Sequence, residues 1–324
     1  MNLEEAIVAY IRQRGPVTGL ELRESFDDDS LVLWQTCLRS DALVTQRVGT
    51  RYLRLDRRVD GYARLSPSIL RAFLSYSVTG LAADPDAVAG RARELASHFA
   101  AVSQAKSDLA LSIVTEIRQQ LGSLWDDALP VCVIIAGDIV YDMAHDVPRP
   151  EQSTGELVKG SDIDLVVVVG DDVPDEFIAQ LDHAIYGQKY ITLTSPHLRE
   201  EIDYVIKRMS KVREQLQFDS FRHMVACKIL EEGHLLYGSD ALYAAIKALL
   251  EEYGVTRKLD ELRKHAERFG SNAEEYLLHA DPAHARSESL HLFYPSEETE
   301  EFEYDAGWSH AAGARSRRAT AHLL

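Results

Sequence analysis

Apolar residues recur at helical spacing at the start of the chain. Leu3, Ile7, Tyr10 and Ile11 share one face of a predicted helix, and Gly15-Pro16 ends it. The following stretch predicts two more helices, over residues 18–26 and about 30–38. It then predicts a β-hairpin, whose strands 43–47 and 51–55 flank Val48-Gly49-Thr50. Three short helices closed by a hairpin are therefore expected within residues 1 to about 80.

The next segment is rich in strong helix formers. Residues 84–121 are rich in Ala, Arg, Glu, Gln and Leu, have no interior proline, and contain only one glycine, Gly90. This composition predicts a helical connector that leads into a second domain.

Beyond Pro130, apolar runs of strand length alternate with helical patterns. The predicted order is a buried strand over 131–136, a helix from about Ile139 to Ala144, a strand over 165–169, a helix through Phe177, Leu181 and Ile185, a strand over 202–207, and helices from about 220 to 279. The chain is therefore expected to belong to the α+β class.

Composition supports a folded protein. Apolar residues make up 46% and charged residues 27% of the 324 residues, as in soluble globular proteins. No run approaches the roughly 20 apolar residues that a membrane helix needs, and the acidic start Met1-Asn2-Leu3-Glu4-Glu5 does not resemble a signal peptide. We therefore expect a cytoplasmic protein with no membrane contact.

Cysteine and charge narrow the function classes. Cys37, Cys132 and Cys227 are widely spaced among apolar residues and have neither zinc-ligand nor redox spacing, so they are expected to be buried thiols. A net charge of −17 argues against a nonspecific nucleic-acid coat. The acidic run at 297–303 and the basic residues at 315–318 are typical of solvated or mobile tails.

The first segment resembles the winged helix-turn-helix domains of bacterial regulators, by its pattern of helices and hairpin. Arginines line or follow the expected wing, at Arg47, Arg51, Arg54, Arg57, Arg58 and Arg64. They could grip a DNA backbone, solvate an exposed hairpin, or dock on the acidic remainder of the chain. These alternatives stay open at this point.

The strongest chemical signal is Asp162-Ile163-Asp164, where a predicted strand begins. Residues two apart on a strand point to the same face, so both carboxylates project together while Ile163 points into the core. Carboxylates suit magnesium, and paired ions about 4 Å apart can stabilise an in-line phosphoryl displacement. A third carboxylate is expected from Asp203 on the next strand, with Glu201 on the same face as the fallback.

The segment 155–165, Gly-Glu-Leu-Val-Lys-Gly-Ser-Asp-Ile-Asp-Leu, resembles the catalytic segment of the DNA polymerase β-like nucleotidyltransferase superfamily. The resemblance covers residues 131 to about 207. It implies that Gly137-Asp138 and Ser161 contact a nucleoside triphosphate. It also implies that Asp162, Asp164 and Asp203 bind two Mg²⁺ ions, or Mn²⁺.

The chain departs from the superfamily pattern in two ways. Asp138 stands where the family has a serine, and a carboxylate cannot donate a hydrogen bond to phosphate. An insertion that includes Arg149 separates Gly137 from Gly155, and it is expected to form a loop over the site. Arg149 or Lys159 in that loop could supply positive charge to a phosphate.

The helix-and-turn at 228–238 resembles the segment after the catalytic sheet in several bacterial nucleotidyltransferases, with Gly233 ending the helix. Lys228 on that helix is a candidate phosphate ligand. Together the patterns predict a winged helix over 1–80, a helical connector over 81–125, a nucleotidyltransferase mixed-sheet domain over 126–215, a helical lobe over 216–285, and an irregular tail over 286–324.

The expected function is transfer of a nucleoside monophosphate from a nucleoside triphosphate to an acceptor hydroxyl, with release of pyrophosphate. The acceptor, a protein, an RNA, a small molecule or a second nucleotide, stays open because the shared site defines only the transferred group. The alternative is a nucleotide-sensing or inactive transferase-like regulator that binds DNA or a protein through its winged helix. A toxin–antitoxin or phage-defence module is a further possibility by family resemblance.

Other motifs argue against competing classes. The stretch from Gly155 to Ser161 nearly spells a P-loop but lacks its lysine and precedes a strand. The chain has neither a dinucleotide-binding glycine motif nor a Gly-x-Ser-x-Gly elbow, and its histidines show no metal spacing. Dehydrogenase, hydrolase and zinc-enzyme functions are therefore not favoured.

Overall fold

The computed structural model describes residues 2–126, 128–151, 155 and 157–295. The acidic run and the basic tail predicted near the C-terminus lie outside these residues. The helices are α1 Leu3–Arg14, α2 Gly19–Ser25, α3 Ser30–Arg39, α4 Ile69–Ser75, α5 Pro85–Leu121, α6 Asp175–Thr194, α7 Met209–Gln215, α8 Phe221–Glu232, α9 Asp240–Glu252, α10 Val255–His279, α11 Pro282–His284 and α12 Leu290–Phe293.

Strands complete an α+β fold, as the sequence predicts. They are β1 Val17–Thr18, β2 Leu43–Arg47, β3 Tyr52–Leu55, β4 Ala63–Ser66, β5 Ser77–Leu81, β6 Val131–Ala136, β7 Pro148–Pro150, β8 Leu157–Lys159, β9 Ile163–Val169, β10 Ile202–Arg208 and β11 His234–Gly238. None of the described helices is long and apolar enough to cross a membrane.

The described chain divides into two compact units. The first contains residues 2–52, 65–97 and 266–295, and the second contains residues 53–64 and 98–265. The long helices α5 and α10 contribute residues to both. The linear domain boundaries expected from the sequence stay predictions.

The first unit packs α1 to α4 around a small sheet of order β1-β5-β2. Its helices begin at well-formed caps. Asn2 and Glu5 form a reciprocal capping box at α1, and Thr18 and Glu21 form another at α2. Apolar residues of α10 and α12 complete the core of this unit, including Leu277 and Phe293.

The predicted hairpin of residues 43–47 and 51–55 is wrong. Strand β2 pairs with β5, and β3 pairs with β4. Gly49, at φ +72°, lies where the chain leaves β2, and the Val48 N–H donates to the Tyr76 carbonyl instead of to a hairpin partner. The pairing with β5 covers a strand that is buried along most of its length, which a local turn pattern does not reveal.

The second unit is built on a mixed sheet of order β10-β9-β6-β11. Strands β9 and β10 run parallel, whereas β6 is antiparallel to β9 and to β11. One face of the sheet packs against α5, α6 and Trp125, and forms the main core of this unit. The apolar strand β6 is buried along its whole length, as predicted.

Two local predictions in this unit are wrong. The helix expected from Ile139 to Ala144 is only a short 3₁₀ turn over Gly137–Tyr141. The stretch after Gly233, which was expected to form a turn, is the edge strand β11. Gly233 does end α8, as expected. The three cysteines are buried thiols, as predicted.

Candidate active site

Parallel pairing of β9 with β10 brings the predicted carboxylates to one end of the sheet. Ile163 lies opposite Ile202 and Asp164 opposite Asp203, so residues at matching positions project to the same face. The two isoleucines are buried in the core on the other face. The aspartates therefore project away from the core.

Asp162 and Glu201 precede these strands and join the cluster. The Ile163 N–H donates to the Glu201 carbonyl at 2.9 Å, which holds the two chain segments side by side. One carboxylate oxygen from each of Asp162, Glu201 and Asp203 lies within 4.8 Å of the others. The predicted residues Asp162 and Asp203 thus lie together with the fallback Glu201, while Asp164 is the neighbour of Asp203 across the strands.

Asp164 lies on the inner side of this cluster, against the backbone of Gly137. A Cβ atom at Gly137 would lie 2.3 Å from Asp164 Oδ2, and Gly137 adopts φ +75°. Only glycine meets both conditions without strain. Burial is the main cause that raises the pKa of Asp164 to about 6, and the negative charges of Asp138 and Asp203 contribute to the same rise.

Asp138 and Ser161 are joined by a side-chain hydrogen bond. The Ser161 hydroxyl donates to Asp138 Oδ2 at 2.9 Å, and the same Ser161 oxygen accepts from the His145 N–H at 3.2 Å. Gly160 packs so closely that a Cβ there would lie 1.9 Å from the His145 carbonyl oxygen. Ser161 therefore braces the turn that carries Asp138, beside its predicted role toward a nucleotide.

The insertion contributes Arg149 to the carboxylate cluster. Strands β7 and β8 form an antiparallel pair that presents this arginine. Its Nε donates to the Gly160 carbonyl at 2.8 Å, its Nη2 donates to Glu201 Oε2 at 2.8 Å, and Nη2 also contacts Asp162 Oδ1. The guanidinium therefore binds carboxylate oxygens of the same set that would hold a cation.

Other cationic side chains lie around the cluster, and two of them, Lys106 and Lys189, were not predicted from the sequence. Lys189 Nζ donates to Asp203 Oδ1 at 2.8 Å. Lys106 from α5 forms a buried ion pair with Glu200 and donates to the Lys159 carbonyl at 2.7 Å. The Lys159 ammonium itself donates to the His197 carbonyl at 3.0 Å. No local pattern signals Lys106, since its partners are 53 and 94 residues away in the chain.

Lys228 belongs to a different group. Its Nζ lies 2.5 Å from Glu232 Oε2, one helical turn further along α8, and 6.0 Å from the Tyr141 ring centre. The Tyr141 hydroxyl also donates to Glu232, at 2.5 Å. The negative charge of Glu232 contributes to the raised pKa of Asp164, which places this group within electrostatic range of the inner carboxylate.

Comparisons of the chain with protein-family models, with curated proteins and with solved structures found no match. The chemistry of the site therefore rests on its own geometry.

The donor set fits a hard divalent cation. Asp162, Asp164, Glu201 and Asp203 offer only carboxylate oxygens, the ligands that magnesium prefers. The Asp164 carboxylate packs against the backbone of Gly137 so closely that any side chain there would clash with it. A cluster of like charges raises the free energy of the ionised state, and a bound cation would remove that cost.

Proposed function

We propose that this protein is a magnesium-dependent nucleotidyltransferase. It would move a nucleoside monophosphate from a nucleoside triphosphate to an acceptor hydroxyl and release pyrophosphate. Asp162, Asp164 and Asp203 would bind the metal, with Glu201 beside them. When bound, magnesium would offset the negative charge on the transferred phosphate.

The in-register parallel pairing of β9 and β10 is the observation that carries this proposal. In this pairing the aspartates of the two strands lie side by side, so their relative position depends on backbone hydrogen bonds and not on flexible loops. One carboxylate oxygen from each of Asp162, Glu201 and Asp203 lies within 4.8 Å of the others, which supports a shared cation at this place. The resemblance of residues 155–165 to nucleotidyltransferases supports the same chemistry.

Each residue of the site has a role that follows from its position. Gly137 would contact the triphosphate through its backbone, next to the Asp164 carboxylate that packs against it. The Asp203 side chain is 54% exposed and can accept the proton of the attacking hydroxyl. The new bond joins the acceptor oxygen to the α-phosphorus, and the bond to pyrophosphate breaks with its electron pair leaving on pyrophosphate.

Turnover tests the proposal directly. The full chain is incubated with each of ATP, GTP, CTP and UTP, labelled on the α-phosphate, in magnesium, with protein, RNA and small-molecule acceptors supplied in parallel. Pyrophosphate release and labelled acceptor are measured, with Asp164→Asn as the inactive comparison and Asp171→Asn, an exposed acid beyond β9, as the matched control. Equal signals from the wild type and Asp164→Asn would refute the proposal.

A second candidate function is a nucleotide sensor that binds without transfer. Two observations favour it: Asp138 replaces a phosphate-binding hydroxyl, and Arg149 already pairs with Asp162 and Glu201. Under this alternative, magnesium-dependent nucleotide binding would occur with no pyrophosphate release under any acceptor condition. Binding by calorimetry together with the turnover assay separates the two functions.

We also propose that the first unit is a winged helix and that the mixed-sheet part of the second is a nucleotidyltransferase domain. Helices α1 to α3 with the sheet β1-β5-β2 support the first assignment. Contact of the first unit with DNA stays a proposal. Arg47 and Arg51 of the expected wing both pair with Glu274, so a Glu274→Gln variant should bind DNA more tightly if these arginines reach a backbone.

A further inference from the structure

Two carboxylates of the site lie just before their strands begin to pair. The register of β9 with β10 starts at Ile163 and Ile202, so Asp162 and Glu201 precede the first paired residues. Gly160, at φ +59°, turns the chain sharply before Asp162. The position of these two carboxylates therefore depends on contacts outside the strand pairing as well as on the pairing itself.

Lys106 of α5 supplies such a contact. Its Nζ donates to the Lys159 carbonyl at 2.7 Å, three residues before Asp162, and pairs with the carboxylate of Glu200, the neighbour of Glu201. The Lys106 side chain is 4% exposed and that of Glu200 is 10% exposed. One buried ammonium thus joins the segment that carries Asp162 to the segment that carries Glu201.

The groups that Lys106 joins are also held by the surrounding elements. Helix α5 packs in the main core through residues that include Ile113. The Glu200 N–H donates to the Thr192 carbonyl of α6 at 3.2 Å, and the Lys159 N–H donates to the Arg199 carbonyl at 2.8 Å. The Lys159–Lys106–Glu200 bridge therefore fixes both segments relative to the helices of the core.

Stability alone is a weak reason for a buried pair of this kind. Removing an ammonium and a carboxylate from water is costly, and apolar residues of similar volume often give an equally stable fold. An ammonium has three donors, so it can bind two partners in fixed directions. Apolar packing has no such directionality, which favours a positioning role for Lys106.

We propose that Lys106 is a positioning residue for the metal site, and that it sets the separation between the carboxylates of Asp162 and Glu201. This rests on the proposed function, because the role is defined by a divalent cation that the carboxylates share. Lys106 contacts neither the cation nor the nucleotide, and it acts through the two chain segments. Removal of such outer partners of metal ligands typically lowers metal affinity by about 10- to 100-fold.

A charge-neutral double variant of the full chain, Lys106→Met with Glu200→Met, tests the proposal. Lys106→Met alone would leave an unpaired negative charge beside Glu201, and its attraction for Mg²⁺ would oppose the effect of lost position. The double variant keeps the net charge of the wild type and removes the bridge. Lys106→Met with Glu200→Gln is equally charge-neutral and replaces it if the methionine pair does not fold.

Gln35→Met is the matched control. Gln35 is a buried donor that joins two backbone carbonyls, those of Leu277 and Ala280, within the first unit. Its replacement should lower stability and leave metal affinity unchanged. Denaturant unfolding measures the stability of every variant.

Calorimetry with Mg²⁺ alone measures metal affinity, and water-proton relaxation by bound Mn²⁺ reports how many water molecules the ion retains. The double variant should bind Mg²⁺ about tenfold or more weakly than the wild type. Its bound Mn²⁺ should retain more water, because fewer carboxylates reach the ion together. Wild-type Mg²⁺ affinity in a folded double variant would overturn the proposal, and so would an equal loss of affinity in Gln35→Met.

The outcomes also separate this proposal from the function it rests on. If the wild type binds neither Mg²⁺ nor Mn²⁺, the metal site of the proposed function fails and the role of Lys106 fails with it. If the wild type binds Mg²⁺ and the double variant binds it equally well, only the role of Lys106 is refuted.

Discussion

Replacing Arg149 by alanine should uncover a competition between this arginine and a divalent cation. The Arg149 side chain is only 16% exposed and contacts Glu201, at 11% exposed, and Asp162, at 33% exposed. Truncation leaves these carboxylates close together with no guanidinium between them. The apo protein should lose stability, and magnesium should bind more tightly because it no longer displaces a resident cation.

The size of the effect follows from burial. Removing one partner of a buried ion pair costs about 3–5 kcal/mol, and the partial exposure of Asp162 lowers the expected loss to about 2–3 kcal/mol. Magnesium at about 100 times its dissociation constant adds about 2.7 kcal/mol to the free energy of unfolding. Stability in magnesium should therefore return to near that of the apo wild type.

Chemical denaturation with and without magnesium measures the stability change, and calorimetry measures magnesium affinity. Arg213→Ala is the control, because its pair with Asp171 is about half exposed and should contribute little to stability. An Arg149→Ala loss that is the same with and without magnesium, with no gain in magnesium affinity, would refute the reasoning. That result would mean that the carboxylates serve only to anchor the β7–β8 pair, which carries Arg149.

Further predictions follow from the inner site and its support. Gly137→Ala should lose about 1–3 kcal/mol of stability from the positive φ and the clash with Asp164, whereas Gly90→Ala on α5 should gain about 0.5–1 kcal/mol; denaturant melts compare them. The pKa of Asp164 is raised to about 6 in the folded chain, against about 3.9 when unfolded. Because the folded state binds the proton more tightly, the free energy of unfolding, measured in chelator, should fall as pH rises from about 4 to about 6. The Asp164→Asn variant should lack this fall, and a pH profile of the variant parallel to that of the wild type would contradict the assignment. Lys106→Met should cost about 3–5 kcal/mol because Glu200 stays buried without a partner, and adding Glu200→Met should restore most of it. A double variant as unstable as the single one would show that packing, not charge, holds this pair.

Periodicity was enough to find much of the fold. Apolar runs predicted β6, β9 and β10, and helix-forming composition predicted α5, because these signals are local and depend on which faces are buried. The spacing of Asp162 and Asp164 similarly placed both carboxylates at the start of one strand. The side-chain period of a strand alone dictates that result.

Tertiary contacts decided what the pattern left open. Strand β2 pairs with β5, 30 or more residues away in the chain, and the residues after Gly233 become an edge strand because β6 offers an unpaired side. Local turn chemistry carries no information about either partner.

The site shows the same division. The sequence identified Asp162, Asp164 and Asp203 as candidates, but not that Arg149 would pair with Asp162 and Glu201, nor that Lys189 would donate to Asp203. Charged side chains find partners by proximity in space, and that proximity is set by how the sheet and helices pack. The sequence determines which residues can carry a charge, whereas the tertiary fold determines which charged groups come into contact.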